Sequence, residues 1–96
     1  MQESQLLTNN LLVEVDVLSN RLKNIRQSFT TTENKALQER LLCENNNIYK
    51  RVDEIHKIAE LLNKKNNDKF SFSKLLFETS KRTLNQNKFE TNLFFH

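Results

Sequence analysis

The sequence contains no glycine, no proline and no tryptophan, and only one cysteine and one methionine. Tight β-connections depend on glycine and proline for positive or pre-set φ. Their complete absence argues against an all-β or α/β chain. Long helices need neither residue and are weakened by both. A single thiol, Cys43, excludes an internal disulfide framework and any multi-cysteine metal knuckle, and points to a reducing compartment. Without glycine, no phosphate-cradling loop of the dinucleotide or P-loop kind can be built. No apolar run approaches the ~18 residues of a membrane span, and the opening MQESQLLTNN has neither a basic region nor an apolar stretch of the secretory type. The expectation is a soluble, cytoplasmic protein that spans no membrane.

No block of like charge exists either. Residues 1–30 carry three basic and three acidic groups, 31–65 seven and six, and 66–96 five and three. The net charge of +3 is therefore spread thinly, with no strong electrostatic footprint for nucleic acid or membrane. The 14 asparagines carry no chemistry by themselves and are read as background.

What is present is apolar periodicity. Leu11, Val15, Leu18, Leu22, Ile25 and Phe29 recur at alternating four- and three-residue steps. That is the seam of a helix packed nearly parallel or antiparallel to another. Leu6, Leu7, Leu12, Val13 and Val17 add apolar groups, so the N-terminal half of this helix is apolar on most sides. A second seam runs through Leu41, Ile48, Val52, Ile55, Ala59 and Leu62, with Asn45 between its first two members. The two seams are out of phase, as expected if a turn separates them. Between them lies Thr30-Thr31-Thr32, poor inside a helix and good at its start. Thr30 and Glu33 have capping-box spacing, and Thr32 is an equally good cap. A single bent helix is the alternative, since no glycine or proline enforces the break. A buried Asn45 would fix register; local exposure within Asn45-Asn46-Asn47 is the preferred reading.

The spacing predicts helices over about 4–29, 33–65 and 72–84, in one helical domain spanning 1–96, with 85–96 as a tail. Asp68, Ser71 or Ser73 would cap the third helix, whose apolar part is Phe72, Leu75, Leu76 and Phe77. The fold class is all-α: an antiparallel hairpin of two long helices with a short third one, completed as a bundle by self-association. A turn near Thr31 sets residues 6–18 opposite roughly 44–56. The open end of the hairpin then gathers unburied apolar groups where the third segment begins, so either that segment or a second copy caps it.

Catalytic constellations are absent from this pattern. Asp53, His56 and Glu60 share one helix face, and a carboxylate-x-x-His pair is how helical bundles supply metal ligands. Glu14 and Asp16 on the first helix lie off its seam, so no inward carboxylates complete such a site. A solvated or partly packed histidine is the default. Cys43 has no histidine at catalytic spacing and reads as a small hydrophobe. No cofactor and no small-molecule substrate are expected. Lys50, Lys57 and Lys64 repeat every seven residues as a basic stripe, interrupted by Asp53, Glu54 and Glu60.

The expected function is a non-enzymatic scaffold or regulatory protein acting through coiled-coil-like packing with itself, as a homodimer, or with a protein partner. The two seams would form the core or interface, and Phe72, Leu76, Phe89, Leu93 and Phe94 a secondary docking surface. The alternative is a small nucleic-acid-binding regulator using the basic stripe.

Overall fold

The computed structural model of the chain describes residues 2–65 and 72–86. They form three helices, α1 (Gln2–Thr31), α2 (Lys35–Lys65) and α3 (Phe72–Gln86), with no strand among the described residues. The chain is all-α, an antiparallel hairpin of two long helices with a short third helix packed against both.

The turn lies slightly later than the threonine pattern implies, for a local reason. Thr30 and Thr31 both donate their hydroxyls to the Gln27 carbonyl at 3.0 Å, and Thr31 also reaches the Ser28 carbonyl at 3.2 Å. Back-bonding of this kind satisfies a threonine from inside a helix. Both residues therefore end α1, and neither starts α2. The cap of α2 is Asn34, whose Oδ1 accepts the Leu37 N–H at 3.2 Å, while the Thr32 hydroxyl accepts the Asn34 N–H at 3.2 Å. Gln38 Nε2 donates back to the Thr32 and Phe29 carbonyls at 2.9 and 3.5 Å, satisfying acceptors that the end of α1 leaves open. No described residue has positive φ, so the chain reverses without the conformation that glycine favours.

Two ion pairs report the register of the hairpin: Arg21 Nε to Glu44 at 2.5 Å and Arg51 Nε to Glu14 at 2.6 Å. In both pairs the residue numbers add to 65. Residues 6–18 thus lie level with 47–59, three positions from the alignment that a turn near Thr31 implies.

The core divides into two clusters along the hairpin. Leu22, Ile25, Phe29, Leu41, Leu42, Ile48 and Val52 fill the half near the turn, and Leu11, Val15, Ile55, Ala59 and Leu76 fill the open half. Leu18 touches both. α3 covers the open half and runs antiparallel to α2, since Leu84 meets Tyr49 while Phe77 and Ser80 meet His56.

The face that α3 buries differs from the apolar part expected for it. Ser73, Leu76, Ser80 and Thr83, spaced three, four and three, point inward, whereas Phe72 and Leu75 are half exposed. Small hydroxylated residues let two helices approach closely, and their hydroxyls need no outside partner. Ser80 Oγ donates to the Phe77 carbonyl at 3.1 Å and Thr83 Oγ1 to the Thr79 carbonyl at 2.9 Å. Ser73 sits inside α3 and is not its cap; Asp68 and Ser71 lie outside the described residues.

Asn45 corrects the expectation of exposure. Asn46 and Asn47 are exposed, but Asn45 is 3% exposed on the seam, and its Oδ1 has no hydrogen-bond partner. An unsatisfied buried acceptor costs roughly 1–3 kcal/mol. Asn45→Leu is therefore expected to raise stability by about that amount in urea denaturation. A lower midpoint in the variant would mean that the carboxamide is satisfied in solution.

Candidate functional site

The seams face one another inside the chain. Leu11, Val15, Leu22, Ile25, Phe29, Leu41, Ile48, Val52, Ile55 and Ala59 are buried, and Leu18 and Leu62 are half-buried. They form a core, so a surface offered to a partner lies elsewhere. Leu76 is fully buried against the chain's own hairpin, and its docking is intramolecular. Phe72 remains 49% exposed. Phe89, Leu93 and Phe94 lie outside the described residues.

Apart from Leu37 beside the turn, the exposed large apolar groups of the described residues gather toward the open half. Leu6, Val13 and Val17 are 63%, 60% and 58% exposed, and Leu7, Leu61 and Leu75 are close to half exposed or more. Leu6, Asn10, Val13 and Val17 recur at four-, three- and four-residue steps. That makes a second stripe on α1, roughly 130° round the helix from its seam. Asn20 and Asn24 continue the same positions and end its apolar character. α3 fills one side of the hairpin and leaves this stripe uncovered. A helix that is apolar all round is normally buried all round, and contiguous exposed apolar patches mark interaction sites.

The polar contacts hold the three helices in place. His56 Nδ1 lies 2.8 Å from Ser80 Oγ. Because that hydroxyl already donates to the Phe77 carbonyl, the imidazole N–H donates to the serine oxygen. The ring also stacks on Phe77, centroids 4.7 Å apart. Tyr49 donates its hydroxyl to the Leu84 carbonyl. Burial pushes the Tyr49 phenol up, opposed by the nearby Arg26 charge. The Arg51 guanidinium bonded to Glu14 holds that carboxyl below its ordinary value, and Arg21 does the same for Glu44.

These depressed carboxylates give the acid response a sign. A group whose folded pKa lies below its unfolded value stabilises the fold above the unfolded pKa. That contribution is lost as pH falls through the folded value. The side chains are more than a third exposed, so the effect is small. Acidification from pH 6 to 3 is expected to lower Tm by a few degrees, and less in a Glu14→Gln/Glu44→Gln variant. Equal acid sensitivity in both proteins would show that these pairs carry none of it.

The same contacts occupy the residues with metal-ligand spacing. His56 is held by α3, and Asp53 pairs with Lys57 at 3.1 Å. Among the described residues no group of three or more histidine, cysteine or carboxylate side chains is placed to hold a metal ion. Ser80 beside His56 is fully buried, out of reach of any substrate. Cys43 is exposed, in an open groove with Arg21, Leu37, Arg40, Leu41, Glu44 and Asn47. Lys50, Lys57 and Lys64 are all exposed, with Lys57 tied to Asp53. No described helix is long and apolar enough to cross a membrane.

Two features escape the seam pattern. The ion pairs were readable in principle: Glu14 and Arg21 are seven residues apart, as are Glu44 and Arg51, with the charges in the same order. Only an antiparallel alignment sets each acid beside a base. The second stripe on α1 was visible as excess apolar content, but which side α3 would cover was not. Compared with protein-family models, with curated proteins and with solved structures, the chain has no match.

Proposed function

We propose that this chain is a non-enzymatic helical interaction module whose binding surface is the outer face of α1. The observation that carries the reading is the exposure of Leu6, Val13 and Val17 on a helix whose opposite face is fully packed. Burying such groups against another helix removes apolar area from water at about 25 cal/mol per Å². The hairpin and α3 act as a rigid frame presenting the stripe, and the module serves a scaffold or regulatory role.

Nucleic-acid binding through Lys50, Lys57 and Lys64 has weaker support. Asp53 bonds the central lysine, and Glu54 and Glu60 lie exposed beside the stripe. Carboxylates in that position repel phosphate.

A Val13→Asp/Val17→Asp variant tests the proposal. Both positions are exposed, so the variant is expected to keep wild-type helicity and a Tm within a few degrees. In its native cell the wild-type chain should run in a complex heavier than 11.4 kDa, and the variant should run alone. A solitary wild-type chain, or a variant that keeps the complex, would overturn the reading.

A further inference from the structure

We propose that the flank of the hairpin beyond the end of α3 is a docking site for the chain's own segment 87–96, anchored by Phe94 on Phe29 and Leu42 and by Glu90 on Arg26. The proposal stands apart from the reading of the outer face of α1. It starts from burial. Two helices that touch along one seam leave both flanks open to water, and a buried side chain needs neighbours on every side. In the turn half the two flanks differ. Leu37, in the row of Glu44 and Arg51, is 39% exposed. Leu42, in the row of Tyr49 and His56, is only 8% exposed, although Tyr49 and His56 lie under α3 and stay half-buried. Leu42 lies farther on than α3 reaches. Leu84 meets Tyr49 and Phe77 meets His56, and in both pairs the residue numbers add to 133. Gln86 is thus level with Asn47, and Leu42 lies about 7.5 Å past it. No further helix among the described residues lies over that flank.

The segment that follows α3 is the one the fold delivers there. Ser73, Leu76, Ser80 and Thr83 point inward at steps of three, four and three. The same alternation carried on reaches Asn87, Glu90 and Phe94. At a helical rise, residues 87–96 span about 15 Å, within the roughly 20 Å left between the level of Gln86 and the turn. Phe94 then comes level with Glu39 of α2 and Arg26 of α1, less than one turn from Leu42 and Phe29.

Charge agrees with this placement. Arg26 is half-buried on the α1 side of the same flank, near enough to act on the Tyr49 phenol. A guanidinium in such a position is best met by a carboxylate. Glu90 is the one acidic residue of 87–96, and on the inward side it falls a single turn from Arg26. Tethering favours this occupant over a separate chain. The segment starts at the mouth of the site, which gives it an effective concentration on the order of millimolar.

The test is paramagnetic broadening in the full chain with Cys43→Ser and a spin label at Asn92→Cys, on the outward side of the segment. The label should broaden the amide resonances of 22–29 and 39–46 and leave those of 2–10 and 57–65 sharp. No selective broadening would mean that the segment docks nowhere, and broadening centred on 6–17 would place it on the outer face of α1; either overturns the proposal. Isotope-labelled chain without the spin label, mixed with spin-labelled chain at natural abundance, should show no broadening. Broadening in that mixture would assign the site to the segment of a second copy and overturn the same-chain reading. Phe94→Ala should abolish the pattern and speed amide exchange over 41–48 at least about tenfold, with smaller changes over 11–18. A variant that keeps both the pattern and the protection would overturn Phe94 as the anchor.

Discussion

Ile55→Asp unfolds the protein at neutral pH, and helicity in far-ultraviolet circular dichroism collapses with it. Ile55 is fully buried in the open-half cluster with Leu11, Val15, Ala59 and Leu76. The substitution removes an apolar side chain worth ~1.5–3 kcal/mol of burial and inserts a carboxylate with no partner. The basic residue one turn before it, Arg51, is held by Glu14, and Lys57 by Asp53. Leaving a buried charge unpaired costs several kcal/mol more. A small domain has about 5–15 kcal/mol of stability in all, and this one sits at the lower end by size. The variant carries its own signature. A buried aspartate has a raised folded-state pKa, so its penalty shrinks as pH falls through that value. Helicity should partly return on acidification, opposite to the trend of the wild type. A variant that melts cooperatively near the wild-type Tm at pH 7 would mean that residue 55 faces solvent.

Leu76→Ala releases α3 from the hairpin. Leu76 is the one fully buried large apolar side chain of α3; the other inward residues are Ser73, Ser80 and Thr83. Truncating a buried leucine costs ~2–5 kcal/mol. The His56–Ser80 bond, the stack of His56 on Phe77, the Tyr49–Leu84 bond and the half-buried Phe77 and Leu84 side chains still tie α3 to the hairpin, but none of them replaces the lost leucine in the centre of the contact. A 15-residue helix without tertiary contacts is marginal in water. Amide protection over 72–86 should fall to that of a free peptide, with weaker losses in α1 and α2. Helicity should drop by the share of α3, and the ring-current shift from Phe77 on the His56 protons should vanish. Full protection of α3 in the variant would mean that the hydroxyl and aromatic contacts suffice to dock it.

Much of this architecture was legible in the sequence, because heptad periodicity is a strong signal over thirty residues. The seam through Leu11, Val15, Leu22 and Ile25 and that through Val52, Ile55 and Ala59 determine two long helices and the faces they bury. A phase change across the threonine triplet places the turn. What the pattern could not supply depends on competition between local options. Asn34 and the threonines all cap well in isolation; back-bonding to Gln27 takes Thr30 and Thr31, and the Thr32 hydroxyl is taken by the Asn34 N–H. Asn45 is buried because it occupies a seam position between apolar neighbours, which overrides its preference for water. The inward face of α3 is mostly hydroxylated, and hydrophobicity alone sends Phe72 and Leu75 inward instead. The uncovered stripe on α1 was hidden for a related reason. An excess of apolar residues says that more than one face wants burial, and says nothing of which face the third helix takes.

Heptad repeats have a weakness: two such helices can slide past each other by one full repeat and still interdigitate. The pairs Glu14–Arg51 and Arg21–Glu44 work against this like the teeth of a vernier. One notch in one direction brings Glu14 level with Glu44, and one notch in the other brings Arg21 level with Arg51. Bonds that add little to the stability of the hairpin thus make its misaligned neighbours worse. Salt, which screens both repulsions, should blur the alignment before it loosens the core.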